Sequence, residues 1–179
     1  MIRPLHPKEI FLQPGDCCFS DRDTRISTVL GSCVSITFWH PQLSVGGMCH
    51  YMLPRRGNGP RNGDWPELDG RYADEAVALM LKKMDVVGAS YKEYQVKLFG
   101  GGNMFPHVAQ KNMFRIGISN AQAARRLIQH YGLTCVAEHL GDSGHRKVIF
   151  EVWSGEVWVK HNHLLLCTAH EADKQRELG

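Results

Sequence analysis

The sequence predicts a mixed α/β (α+β) domain, with mixed and antiparallel β-sheet layers and two main helices packed on them. Three observations predict it. Two segments carry apolar residues at helical spacing, several others alternate apolar and polar residues, and the two kinds are interspersed along the chain. The 179 residues suit one domain with a sizeable core, and 43% hydrophobic with 22% charged residues is ordinary for a soluble globular protein. A formal net charge of +3 is too small to argue for a nucleic-acid partner. The most basic stretch, RRGNGPRNG from Arg55 to Gly63, has no interleaved aromatics and reads as a solvated loop.

The first twenty residues, MIRPLHPKEIFLQPGDCCFS, are broken by prolines and charges and hold no apolar run of signal-peptide length. No segment reaches the length of a transmembrane helix. The expectation is a cytoplasmic protein without membrane insertion. Its six cysteines (Cys17, Cys18, Cys33, Cys49, Cys135 and Cys167) are then expected as thiols, and Cys17-Cys18 lacks zinc-ligand spacing.

CVSITFW, Cys33 to Trp39, is a strand pattern with Val34, Ile36 and Phe38 on one face and Cys33, Ser35 and Thr37 on the other. SVGGMCHYML is a second extended segment, and HPQL between them supplies a turn. A two-residue Pro41-Gln42 loop pairs His40 with Leu43, Trp39 with Ser44 and Cys33 with His50. Opposed residues have Cβ atoms about 4.5–5.5 Å apart, so a thiol would meet an imidazole. A longer turn, or a bulge at Gly46-Gly47, shifts this register.

Asp64 to Gly70 reads as a surface loop. YADEAVALMLKKM then carries a helical stripe of Ala73, Ala76, Val77, Met80, Leu81 and Met84, with Asp74 and Glu75 near its start and Lys82 and Lys83 near its end. YQVKLF, Tyr94 to Phe99, reads as a strand. FGGGNMF after it lacks the lysine of a phosphate loop and the dinucleotide spacing, so a tight structural turn is expected, with Gly101 and Asn103 as rim candidates. The second helix is NAQAARRLIQHYG, with Asn120 as its N-cap, a stripe of Ala121, Ala124, Leu127, Ile128 and Tyr131, and Gly132 ending it. LTCVAEH is a further strand. KVIFEVWSGEVWVK reads as a hairpin turning at Ser154-Gly155, with Val148, Phe150 and Val152 on one arm and Val157 and Val159 on the other. The chain past Asn162, ending HEADKQRELG, is polar; residues 1–162 are expected as the domain and 163–179 as a tail.

Three readings of Cys33 and His50 stand at this point: a catalytic pair, part of a metal site, or two ordinary buried residues. An imidazole beside a thiol takes its proton and holds a thiolate–imidazolium pair. Gly31 and Ser32 let backbone approach a substrate, and their amides with that of Cys33 suit a developing oxyanion. Ser27 and Thr28 lie just upstream, placed to orient the imidazole or the substrate. Metal ligands are conceivable at Cys49-His50 or at His161 and His163, but neither has a second pair, so no metal is expected.

TVLGSCVSITFW followed by GGMCHYMLP resembles the signature of the CheD family of chemoreceptor glutamine deamidases. The likeness continues through RYADEAVALMLKKM, VKLFGGGNMF, IGISNAQAARRLI and GHRKVIFEVWSGEVWVK, covering roughly Glu9 to Lys160 in order. IGISN departs slightly from the more charged family version, and Asp142 and His145 stand where glycines are common. The resemblance implies a cytoplasmic enzyme that converts glutamines of methyl-accepting chemotaxis receptors to glutamate, without cofactor or metal. It places the nucleophile on Cys33 and the general base on His50. A family threonine falls on Ser27 by ungapped counting, with Thr28 one position on. Some members also hydrolyse receptor methyl esters, and some bind the chemotaxis phosphatase CheC. The alternatives are an adaptor for receptor or phosphatase with little catalysis, and a cysteine hydrolase of another substrate.

Overall fold

Every residue of the strand Val34–His40 is buried, a pattern that one-sided alternation does not produce. The reason is that this strand lies in a middle layer. A computed structural model describes residues 3–57, 67–104 and 111–163. The elements in order are β1 (Lys8–Phe11), β2 (Cys17–Ser20), β3 (Thr24–Leu30), β4 (Val34–His40), β5 (Val45–Tyr51), α1 (Ala73–Val87), β6 (Gln95–Gly100), α2 (Lys111–His130), β7 (Thr134–Leu140), β8 (His145–Glu151) and β9 (Glu156–Asn162). They make a five-stranded sheet, β2-β5-β4-β6-β7, and a four-stranded sheet, β1-β3-β8-β9. Both contain parallel and antiparallel pairs, so the class is the mixed one the sequence predicts.

Two cores follow from the layers. Val34, Ile36, Phe38, Cys49, Tyr51, Val96 and Leu98 face α1 and α2. Trp39, Met48 and Phe99, on the opposite face of the same sheet, meet Ile26, Leu30, Val148 and Phe150 of the second sheet. The order is therefore helices, five-stranded sheet, four-stranded sheet. The buried residues of α1 are the six of its apolar stripe. The helix continues to Val87, so Lys82 and Lys83 lie short of its last turn, and Gly88 closes it in the left-handed conformation (φ 77°).

Three sequence expectations need correction. The β4–β5 turn has four residues, Pro41 to Ser44, with Ser44 at φ 52° and its N–H on the His40 carbonyl at 2.9 Å. This sets Ser35, not Cys33, opposite His50, and Gly46 and Gly47 pair regularly with Trp39 and Phe38. Asn120 is no N-cap, because α2 begins at Lys111. Gly117 looks like a helix breaker, but a Cβ there would lie 2.6 Å from the Gly101 carbonyl oxygen, so the helix interior needs its smallness. The β8–β9 turn also has four residues, with Glu151 paired to Glu156. β1 and β2 come from the first twenty residues, whose prolines and charges hide short strands, and β3 follows directly after them. Of the expected tail, 164–179 lies outside the described residues, as do 58–63 of the basic stretch, 64–66 of the following loop and Phe105.

Gly155 in that turn has φ 72°, and a Cβ there would come 2.3 Å from the Trp39 ring. The ring cannot slide away freely, since its Nε1–H donates to the Val152 carbonyl at 2.8 Å. Gly155→Ala is expected to cost about 2–3 kcal/mol and lower Tm by about 5–10 °C, read by thermal unfolding. An unchanged Tm would show that the turn relaxes at no cost.

Candidate active site

Cys33 ends the short Gly31-Ser32-Cys33 link between β3, in one sheet, and β4, in the other. All three carbonyls of the link are held. Gly102 N–H donates to Gly31 at 2.8 Å, Asn120 Nδ2 to Ser32 at 3.0 Å, and Gly101 N–H to Cys33 at 2.8 Å. Among the described residues, no backbone carbonyl takes the N–H of Ser32 or Cys33. The glycine run beside the link is there for closeness: at Gly100, φ 115°, a Cβ would lie 2.1 Å from the Cys33 carbonyl oxygen. The run is thus the tight turn the sequence predicts. The amides of Gly101 and Asn103 are already engaged, the latter on Asp142 at 2.7 Å. They build the wall of the site, which leaves the Ser32 and Cys33 amides as candidates for holding an oxyanion.

His50 enters from β5, on the face turned to the second sheet, and is 2% exposed. Cys33 immediately precedes Val34, the partner of Tyr51, and packs against the core between the sheets, the side from which His50 projects. Opposite His50 the ladder carries a glycine bulge. Gly15 N–H donates to the His50 carbonyl at 2.7 Å, and His50 N–H donates to the Asp16 carbonyl at 3.0 Å. The bulge follows a Gln13-Pro14-Gly15-Asp16 turn, closed by Asp16 N–H on Gln13 at 3.0 Å, with Gly15 at φ 98°. Bulges re-aim the side chain they oppose, and the Pro-Gly pair was the sequence signal for this one.

Thr28 fixes the imidazole. Its hydroxyl is fully buried between the sheets and donates to the Leu12 carbonyl at 2.9 Å. Its single hydrogen is thereby used, so at 2.8 Å from His50 Nδ1 it accepts. The neutral ring then carries its proton on Nδ1, and the bare nitrogen is Nε2, which is buried with no partner among the described residues. Ser27 alternates to the other side of β3 and is half-buried there, so only Thr28 meets His50.

Burial pushes His50 down to about 4. Burial also pushes the Cys33 thiol up, against a smaller opposing effect of its own backbone N–H. At neutral pH the resting pair is therefore a thiol and a neutral imidazole, not the ion pair expected from the sequence.

Elsewhere, His161 and His163 lie ring against ring with centroids 3.8 Å apart, and His161 Nε2 donates to the Ser143 carbonyl at 3.0 Å. Among the described residues no three His, Cys, Asp or Glu side chains have the geometry to hold a metal ion. Two residues of the site's surroundings escaped sequence reasoning. Asn120 looked like a cap. Arg146 drew no reading from the sequence, yet it is fully buried, its Nη2 donating to the Gly141 carbonyl at 2.6 Å beneath the glycine run.

Residues 52–161 match the family described as CheD chemotactic sensory transduction. That span begins just after His50, but whole-length relatives reach across the site. A protein of Pseudomonas savastanoi pv. phaseolicola named "Probable chemoreceptor glutamine deamidase CheD" is 48% identical over 162 residues, 90% of this chain and 89% of that one. A Pseudomonas fluorescens protein of the same name is 46% identical over 180 residues, covering 100% of this chain and 99% of its own. A Dechloromonas aromatica protein, "Probable chemoreceptor glutamine deamidase CheD 3", is 47% identical over 156 residues, 87% of this chain and 89% of its own. With its matched family segment and its full-length relatives, this chain belongs to the CheD family.

Proposed function

We propose that the protein deamidates glutamine side chains of chemotaxis receptors, with Cys33 as nucleophile, His50 as base and acid, and Thr28 holding His50. The relatives' names supply the substrate class. The observation that carries the chemistry is the Thr28–His50 contact, which leaves Nε2 as the proton acceptor. In the first step the Cys33 proton passes to Nε2 while Sγ bonds to the carboxamide carbon. The carbonyl π pair moves to oxygen, where the Ser32 and Cys33 amides meet the charge. The C–N bond then breaks, Nε2 returns the proton to nitrogen, and ammonia leaves a thioester. Water attacks the thioester with its proton taken by Nε2. The C–S bond breaks, the proton goes back to sulfur, and glutamate departs.

The test is peptide mapping of a receptor cytoplasmic fragment incubated with the full chain. Site-specific conversion of glutamine to glutamate supports the reading. Unmodified receptor across several receptors of the source organism would move the weight to an adaptor, and chain cleavage or cross-linking to another hydrolase or transferase. Thr28→Val, which keeps shape and removes the hydroxyl, is expected to lower kcat by about 10–100-fold, the rate equivalent of one lost hydrogen bond to the imidazolium formed in the reaction. Ser27→Ala, on the outward side of β3, should stay within about twofold of wild type. The reverse order of effects would reassign the third residue.

A further inference from the structure

Asn120 lies inside α2 and has no exposed surface. Asparagine is a weak choice for a helix interior, because its side chain competes for backbone hydrogen bonds. Here the side chain leaves the helix and uses both amide hydrogens on the site. Nδ2 donates to the Ser32 carbonyl at 3.0 Å and to the Met52 carbonyl at 2.7 Å. The Tyr51 hydroxyl in turn donates to the Asn120 backbone carbonyl at 2.7 Å. One residue thus ties α2 to the peptide preceding Cys33 and to the end of the strand that carries His50.

The consequence lies in a peptide plane. The Ser32 C=O and the Cys33 N–H belong to one planar trans unit and point in opposite directions. A carbonyl held against α2 fixes the N–H on the far side. Gly102 does the same for the Ser32 N–H by holding the Gly31 carbonyl. We infer that Asn120 is a positioning residue for the oxyanion site, setting the Ser32–Cys33 peptide so that the Cys33 N–H faces the charge that develops on the substrate. The inference rests on Cys33 being the nucleophile. Asn120 itself touches no reacting atom.

Asn120→Asp keeps the size and replaces the shared donor with an oxygen that repels both carbonyls. On a receptor fragment, kcat is expected to fall by about 30–100-fold with KM within about twofold, because the lost interaction forms only as charge develops. Gly155→Ala, weakened at the distant Trp39 turn, is the control for stability alone and should keep its kcat when compared at equal fraction folded. A second arm follows alkylation of Cys33 by iodoacetamide relative to the exposed Cys135; the ratio should change several-fold in Asn120→Asp and not in Gly155→Ala. Equal kcat losses in the two variants, or a loss confined to KM, would overturn the inference. If the wild type converts no receptor glutamine, the functional reading fails by itself, and an unchanged alkylation ratio then overturns the positioning role too. If Asn120→Asp does not fold, Asn120→Ala, which removes the donor without adding charge, is read in the same way.

Discussion

Cys33→Ala is expected to abolish receptor deamidation, by about 10⁴-fold or more, while the protein stays folded. The size of the effect follows from the mechanism. Without sulfur there is no thioester, and the remaining groups would have to direct water at an unactivated carboxamide; in enzymes of this logic, loss of the nucleophile costs rate on that order. The small structural cost follows from position. Cys33 is half-buried in the link just before β4, its carbonyl is held by the Gly101 backbone amide, and alanine keeps that bond. Cys135→Ala on the edge strand β7 should retain full activity, since its thiol is exposed and bonds only locally to the Ala137 carbonyl. Peptide mapping of the receptor fragment with the two variants reads both expectations. Conversion by Cys33→Ala at more than a few percent of the wild-type rate would remove Cys33 from the nucleophile's role.

What the sequence made legible, and what it hid, divides along the range of the interactions involved. α1 was legible because its stripe of six apolar residues is a local 3.6-residue pattern answered by one flat core. The beginning of α2 was not, because Gly117 and Asn120 obey the third dimension. One is small where the helix meets the glycine run, and the other is polar where it meets two carbonyls. The strand of Cys33 and the strand of His50 were readable from alternation, but their register was not. Register depends on whether HPQL turns in two residues or four, and the left-handed Ser44 that decides it carries no strong local signal. The choice between Ser27 and Thr28 is likewise a question of strand phase. Ungapped counting points to Ser27, whereas the pleat turns Thr28 toward His50, since Ile26, Thr28 and Leu30 share the inward face. Identity of the site residues thus belongs to short motifs, whereas their contacts belong to sheet pairing and to the Gly15 bulge opposite His50.

The second large effect concerns His50 and pH. Burial holds its imidazole at about 4 against 6.5 for an ordinary histidine, and Thr28 accepts from its Nδ1. The neutral ring is the working form, so kcat/KM should hold through pH 6 and decline only toward pH 4. An unperturbed imidazole would give that decline near 6.5. Stability should follow the same group with a definite sign. The unfolded chain takes up the His50 proton near 6.5 and the folded chain only near 4, so the contribution is complete above 6.5 and is lost as pH falls through that window. The loss is on the order of 3 kcal/mol for this one residue. His50→Gln, which cannot titrate, is expected to lose activity by about 10³-fold or more and to flatten the stability profile between pH 6.5 and 4. Denaturant unfolding of both proteins across that window, with the wild-type pH–rate profile, checks the two halves together. A rate midpoint near 6.5 with parallel stability curves would mean that His50 is solvated in solution, and the Thr28 contact would then not define its tautomer.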